Sequence, residues 1–122
     1  MKLHLTRSPG IHQITGHGHG QIWVDGQCHE TSLIVLPDEV LTPWTTDFDA
    51  LGPRDFDVLV LRAPEIVLLG SGPRLRFPAP GLYAGLVRAG VGVEVMDTAA
   101  ACRTYNILAA EGRRVAAALL LG

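Results

Sequence analysis

A chain of 122 residues with a formal net charge of −2, 48% hydrophobic and 18% charged, has the composition of one globular domain (1–122) and not of a disordered tail. The weak acidic balance argues against nucleic acid as a partner, because phosphate binding needs a basic surface. Two cysteines, Cys28 and Cys102, exclude a disulfide framework, and no apolar run nears the ~20 residues that cross a bilayer, so direct membrane insertion is not expected.

Residues 1–7 lack the apolar core of a secretory signal, so reduced thiols and a cytoplasmic location are expected. Nine of the ten basic residues are arginine, a bias that suggests a GC-rich bacterial genome. Residues 25–57 hold eight acids against one base, Arg54, whereas residues 58–122 hold seven arginines against four acids. Such a split implies an acidic loop or an acidic and a basic side.

In chain order, residues 11–15 and 21–24 read as extended pieces, and Asp25-Gly26 is a two-residue hairpin signal. Residues 32–36 form an apolar strand ended by Pro37 and buried on both faces. Residues 37–54, with Pro37, Pro43, Gly52 and Pro53, read as connection, with a turn of helix capped by Thr46 and Trp44 folded back over the core. Residues 53–61 suit a strand by the alternation of Phe56, Val58 and Val60. They suit a helix by Pro53 in the first turn and by the spacing of Phe56, Leu59 and Val60. Helix is preferred, because Ala63-Pro64 ends it and a strand over 66–69 follows.

The pattern then becomes regular: a loop at 70–73, helix about 80–89, strand 92–96, helix 98–111 and strand 115–121. Gly90 and Gly112 stand where a helix ends in a left-handed residue. This β-α-β-α-β run predicts right-handed crossovers and largely parallel pairing, with the N-terminal hairpin as an additional antiparallel layer.

In an open α/β sheet, ligands gather beyond the carboxyl ends of the strands. Two such ends are Gly70, Ser71 and Gly72 after one strand and Asp97 and Thr98 after the next, with Arg74 and Arg76 supplying positive charge. An anion could meet free helix N–H groups there. However, prolines at 73, 78 and 80 break any dinucleotide fingerprint, and the only lysine, Lys2, excludes a P-loop. A structural tight loop is the preferred reading.

Asp97 or Thr98 serves equally as a helix cap. Cys102 lies near the same helix start, where a thiol pKa can fall, but no histidine follows His29, so a packing cysteine is preferred to a nucleophile. Arg103, Thr104, Tyr105 and Asn106 are harder to assign, because Thr and Asn compete with the helix backbone unless tertiary partners hold them. They indicate a buried polar network or a contact surface. His17-Gly18-His19 with Cys28-His29 raises a zinc reading, but the glycines around His19 make residues 16–20 a turn. No metal, cofactor or catalytic residue is assigned, and Asp47, Asp49, Asp55 and Asp57 read as solvated or capping.

The segments Ile66-Val67-Leu68-Leu69-Gly70-Ser71-Gly72, Val93-Glu94-Val95-Met96-Asp97-Thr98, Ala101-Cys102, Thr104-Tyr105-Asn106-Ile107-Leu108 and Glu111-Gly112-Arg113 carry a resemblance, together with Ala116-Ala117-Ala118-Leu119. They resemble a small α/β family of unknown biochemical activity that includes the mitochondrial assembly factor for respiratory complex I and an adipogenesis-associated protein. The resemblance implies a three-layer α/β fold with a mixed, largely parallel central sheet, flanking helices and an added N-terminal β layer. It also implies a non-catalytic protein-binding role, with respiratory complex subunits as partners. Unlike the mitochondrial relative, the chain is not expected to carry a presequence, and Ser71 stands where the family's loop carries threonine. The alternative is a small-molecule or anion-binding protein, or a weak enzyme, using the edge formed by residues 70–72 and 97–106.

Overall fold

The computed structural model describes residues 10–45 and 47–122; Thr46, read as a helix cap, and residues 1–7 lie outside them. Among the described residues, eight strands form two sheets. β1 (Ile14–Gly18), β2 (Gln21–Val24) and β3 (Gln27–His29) make a small antiparallel sheet. β4 (Leu33–Leu36), β5 (Glu39–Leu41), β6 (Ile66–Gly70), β7 (Gly92–Met96) and β8 (Val115–Leu119) make the central sheet in the order β5-β4-β8-β6-β7. β6 runs parallel to both β7 and β8, while β4 is antiparallel to β5 and β8. The sheet is therefore mixed, with parallel pairing confined to β8, β6 and β7.

Alternation along the buried strands divides the core in two. Leu33, Val35, Leu68, Val115, Ala117 and Leu119 face one side, where they meet α3 (Thr98–Ala110) and the inner residues Ile14, Ile22 and Val24 of the small sheet. Ile34, Leu36, Val67, Leu69, Ala116 and Ala118 face the other, under α1 (Asp57–Arg62) and α2 (Ala84–Arg88). The alanines at 116, 117 and 118 in β8 are fully buried, and their small side chains leave room for layers on both faces.

Several boundaries differ from the sequence reading. β1 begins at Ile14 and runs on to Gly18, so the turn narrows to His19 and Gly20, at φ +51° and +74°. The stretch read as connection contains β5, because Pro37-Asp38 forms a tight turn and Leu36 pairs with Glu39 beyond it. The turn after residue 46 is a 3₁₀ turn, Phe48–Ala50, capped by the Asp47 carboxylate, which accepts from Ala50 N–H at 2.9 Å.

Residues 53–62 are helical, as a 3₁₀ turn (Pro53–Phe56) leading into α1. Ala63 ends α1 at φ +47°, the left-handed position that Gly90 fills after α2 and Gly112 after α3. Trp44, Phe56 and Tyr83 meet edge to face, with centroids 5.8 and 6.3 Å apart, and Trp44 Nε1–H donates to the Asp55 carbonyl at 2.8 Å.

Candidate functional site

Parallel pairing of β6 and β7 sets Gly70 beside Met96, so the two strand ends expected to form a ligand edge are neighbours. Their polar groups are turned on one another. Thr98, 7% exposed, donates its hydroxyl to the Leu120 carbonyl at 2.6 Å and accepts the Gly72 N–H at 2.9 Å. Its own N–H returns to the Gly72 carbonyl, and Leu120 N–H donates to the Gly70 carbonyl. The fully buried Ser71 hydroxyl donates to the Arg74 carbonyl and accepts from Arg76 N–H. A Cβ on Gly70 would lie 2.9 Å from Thr98 Oγ1 and 3.0 Å from Thr98 Cα, so glycine there permits the close packing of strand end on helix start.

Asp97, not Thr98, caps α3: its Oδ1 accepts from Ala100 N–H at 2.8 Å. That carboxylate occupies the position an anion would take at a helix N-terminus. Beside it lies a cavity of about 120 Å³ lined by His17, His19, Gln21, Gly72, Thr98 and Leu121, among others. Drug-sized ligands fill clefts of about 300 Å³ or more, so this space suits a few waters or a small ion.

Cys102 is buried, and desolvation pushes its thiol up to about 12, the reverse of an activated nucleophile. Arg103 and Arg74 are exposed, and Thr104 is half-buried. Tyr105 is fully buried and donates its hydroxyl to the His12 carbonyl at 2.9 Å; burial first, and then the charges of Asp25 and Asp38, raise its pKa. Asn106 accepts Ile14 N–H at 2.9 Å and donates its amide to the Ile14 carbonyl at 2.7 Å. Tyr105 and Asn106 thus form a polar network that fixes the small sheet to α3, one of the two roles considered for residues 103–106.

A second polar group, unmarked by any pattern in the sequence, joins His12 to Asp25. His12 Nδ1 lies 2.6 Å from Asp25 Oδ2, and Asp25 Oδ1 accepts Gln13 N–H. This pair borders a groove of about 450 Å³ with His29, Asp38 and Glu39. Glu39 is held by Arg62 Nε and Nη2, each at 2.9 Å, and these bonds lower its pKa while raising that of Arg62. Arg114 lies 3.6 Å from Asp38. The expected separation of acidic and basic sides is therefore partly closed by pairing across it. On the small sheet, Ile22 stands between His17 and His29 in one cross-strand row, while Cys28 pairs with Trp23 in the adjacent row. Among the described residues no cluster of three or more His, Cys, Asp or Glu could hold a metal ion. No helix among them is long and apolar enough to cross a membrane.

Comparison with known proteins connects this architecture to relatives. An uncharacterized protein of Rhodobacter capsulatus is 37% identical over 121 residues, covering 93% of this chain and 90% of that protein. The NADH dehydrogenase [ubiquinone] 1 alpha subcomplex assembly factor 3 of Xenopus tropicalis is 45% identical over 88 residues, 70% of this chain; the match spans about half (48%) of the assembly factor. The crystal structure of a Bordetella parapertussis protein superposes with a TM-score of 0.86 at 36% identity, covering 95% of this chain and 100% of that one. The family model described as protein of unknown function (DUF498/DUF598) matches residues 14–120, and the chain belongs to that family.

Proposed function

We propose that the chain is a non-catalytic protein-binding module of the assembly-factor kind, acting as a single domain in the cytoplasm on subunits of a respiratory complex. The observation that carries this reading is the 45% identity with a complex I assembly factor over 88 residues. The side chains that chemistry would call on support it. Cys102 is buried with its pKa raised, and the Ser71 and Thr98 hydroxyls are each held by two hydrogen bonds within the fold. Of the candidate residues, the exposed Arg74 and Arg103 are those left to a partner.

Quantitative mass spectrometry of proteins retained by the tagged chain, with native gels of a deletion strain, tests the proposal. Enrichment of complex I subunits and a loss of assembled complex I are expected. Normal complex I with no subunit enriched would overturn it. The cavity beside His17 and His19 favours a second reading, a small anion site at the edge of residues 70–72 and 97–106. Inorganic phosphate would then stabilise the fold by about 2.7 kcal/mol at a hundredfold excess over Kd. Thermal denaturation with and without phosphate separates the two.

A further inference from the structure

The free edge of β7 differs from those of β5 and β1. Gly92 N–H donates to the Glu65 carbonyl at 3.0 Å, and the Met96 carbonyl accepts from Ser71 N–H at 2.8 Å. In a parallel ladder this directs the backbone groups of residues 92, 94 and 96 towards β6 and those of Val93 and Val95 outwards. Among the described residues β7 pairs with no strand but β6. One face of β7 is covered: α2 packs there, and Val93 and Val95 join the core. On the other face Gly92 and Glu94 are exposed, because α3 lies over β6 and β8.

Edge strands usually carry a device against further pairing. The edge strand β5 is three residues long and is followed two residues later by Pro43. β1 carries a bulge between Ile14 and Gly16, and its Ile14 groups are taken by Asn106. β7 is five residues, Gly-Val-Glu-Val-Met, with no proline and a regular register, and its single charge is Glu94.

We propose that β7 takes an extended segment of a partner protein as one further strand, with valine-like residues against Val93 and Val95 and a lysine or arginine opposite Glu94. The inference rests on the protein-binding reading above and names its surface. A second copy of the chain is the poorer occupant. The antiparallel register that pairs the free groups of Val93 with those of Val95, and the reverse, puts Glu94 directly opposite Glu94 of the copy. Directly opposed like charges destabilise a strand pair. Glu94 is in no ion pair among the described residues, so a basic residue supplies what the fold does not. Specificity would come from that charge and affinity from the main chain.

The probe is a capped peptide of alternating valine and lysine, titrated into the isotope-labelled full chain and followed by amide NMR. Exchange of the Val93 and Val95 amides should slow by about tenfold or more at saturation. N-methylation of the peptide valines facing β7 should abolish this, and a valine–glutamate peptide should bind about tenfold more weakly. Glu94→Lys should invert that charge preference. Val95→Pro, which removes an outward N–H that β6 does not use, should weaken binding of either peptide. Shifts centred elsewhere, no binding at millimolar peptide, or a charge preference unmoved by Glu94→Lys would each overturn the inference. A complex I subunit retained equally by wild type, Glu94→Lys and Val95→Pro would overturn this surface alone. Peptide binding at β7 without any retained subunit would overturn the complex I role and leave the surface standing.

Discussion

The β1 and β7 edges pose the same physical problem and receive opposite treatments. At β1, one side chain on α3 supplies an acceptor and a donor to Ile14, so Asn106 does what a neighbouring strand would do. At β7, two residues direct their backbone groups away from β6, with no further strand beside them among the described residues. Unpaired backbone groups are tolerated where water reaches them and costly where it does not. Ile14 is 5% exposed and must be satisfied, whereas β7 lies at the rim. The difference teaches that Tyr105 and Asn106 of α3 belong to architecture, and that the strand edge left without such a partner is β7 of the central sheet.

The sealed side yields the largest predicted effects. Its buried thiol makes stability depend on pH. The unfolded Cys102 ionises near 9 and the folded one at about 12, so between those values the folded state holds the proton that the unfolded state has lost. Stability therefore falls as pH rises through this range, by up to about 4 kcal/mol at its upper end, since each tenfold difference in proton affinity between the two states is worth about 1.4 kcal/mol. Tyr105 adds to the fall in the same direction. Urea titrations from pH 7 upward should show this slope, and Cys102→Ala should flatten it. An unchanged slope in that variant would mean that the thiol is not the titrating group.

Gly70→Ala comes next, at about 3 kcal/mol, because the new methyl meets Thr98 Cα at 3.0 Å and Leu119 Cδ2 at 3.1 Å, and the backbone contact cannot rotate away. Asn106→Ala should cost about 2 kcal/mol by leaving the Ile14 N–H and carbonyl without partners. It should also speed exchange of the Ile14 amide, which tests the sealing role directly. Tyr105→Phe removes one hydrogen bond, to the His12 carbonyl, and should cost about 1 kcal/mol in the same urea assay. If Asn106→Ala proved as mild as Tyr105→Phe, water would be replacing the amide and the contrast with β7 would weaken.

The sequence was most legible where the period was long and the punctuation strong. β2 and β7 have the expected limits, and α3 ends one residue early, because Gly112 supplies the left-handed turn that stops it. β5 escaped notice because Glu39, Val40 and Leu41 are too few to show alternation, and Pro37 belongs to a turn and does not end pairing. Ala63 fills a glycine's role without being glycine, so no local signal marked it beyond the proline that follows. Asn106 was legible as an anomaly but not as a seal. Its partner is 92 positions away, and a polar residue in a helix announces only that it needs something. The His12 and Asp25 pair was hidden for the same reason, since Asp25 already had a sufficient local role in the hairpin turn.

The smallest folding effect is predicted at the open edge, and it separates an edge guarded by charge from one that is merely bare. Glu94 is exposed, on the face of β7 that no helix covers, and pairs with no cation among the described residues. Glu94→Thr should therefore change stability by about 0.5 kcal/mol or less, as surface substitutions do. Its effect on association should be larger. With the carboxylate gone, the register that pairs Val93 with Val95 of a second copy loses its only like-charge opposition, and threonine suits a strand. Sedimentation equilibrium should show concentration-dependent dimers of Glu94→Thr under conditions where the wild type stays monomeric, and Val95→Pro added to it should restore the monomer. Equal self-association of the wild type and Glu94→Thr would mean that the charge does not guard the edge, and that β7 is no more selective than its bare hydrogen bonds.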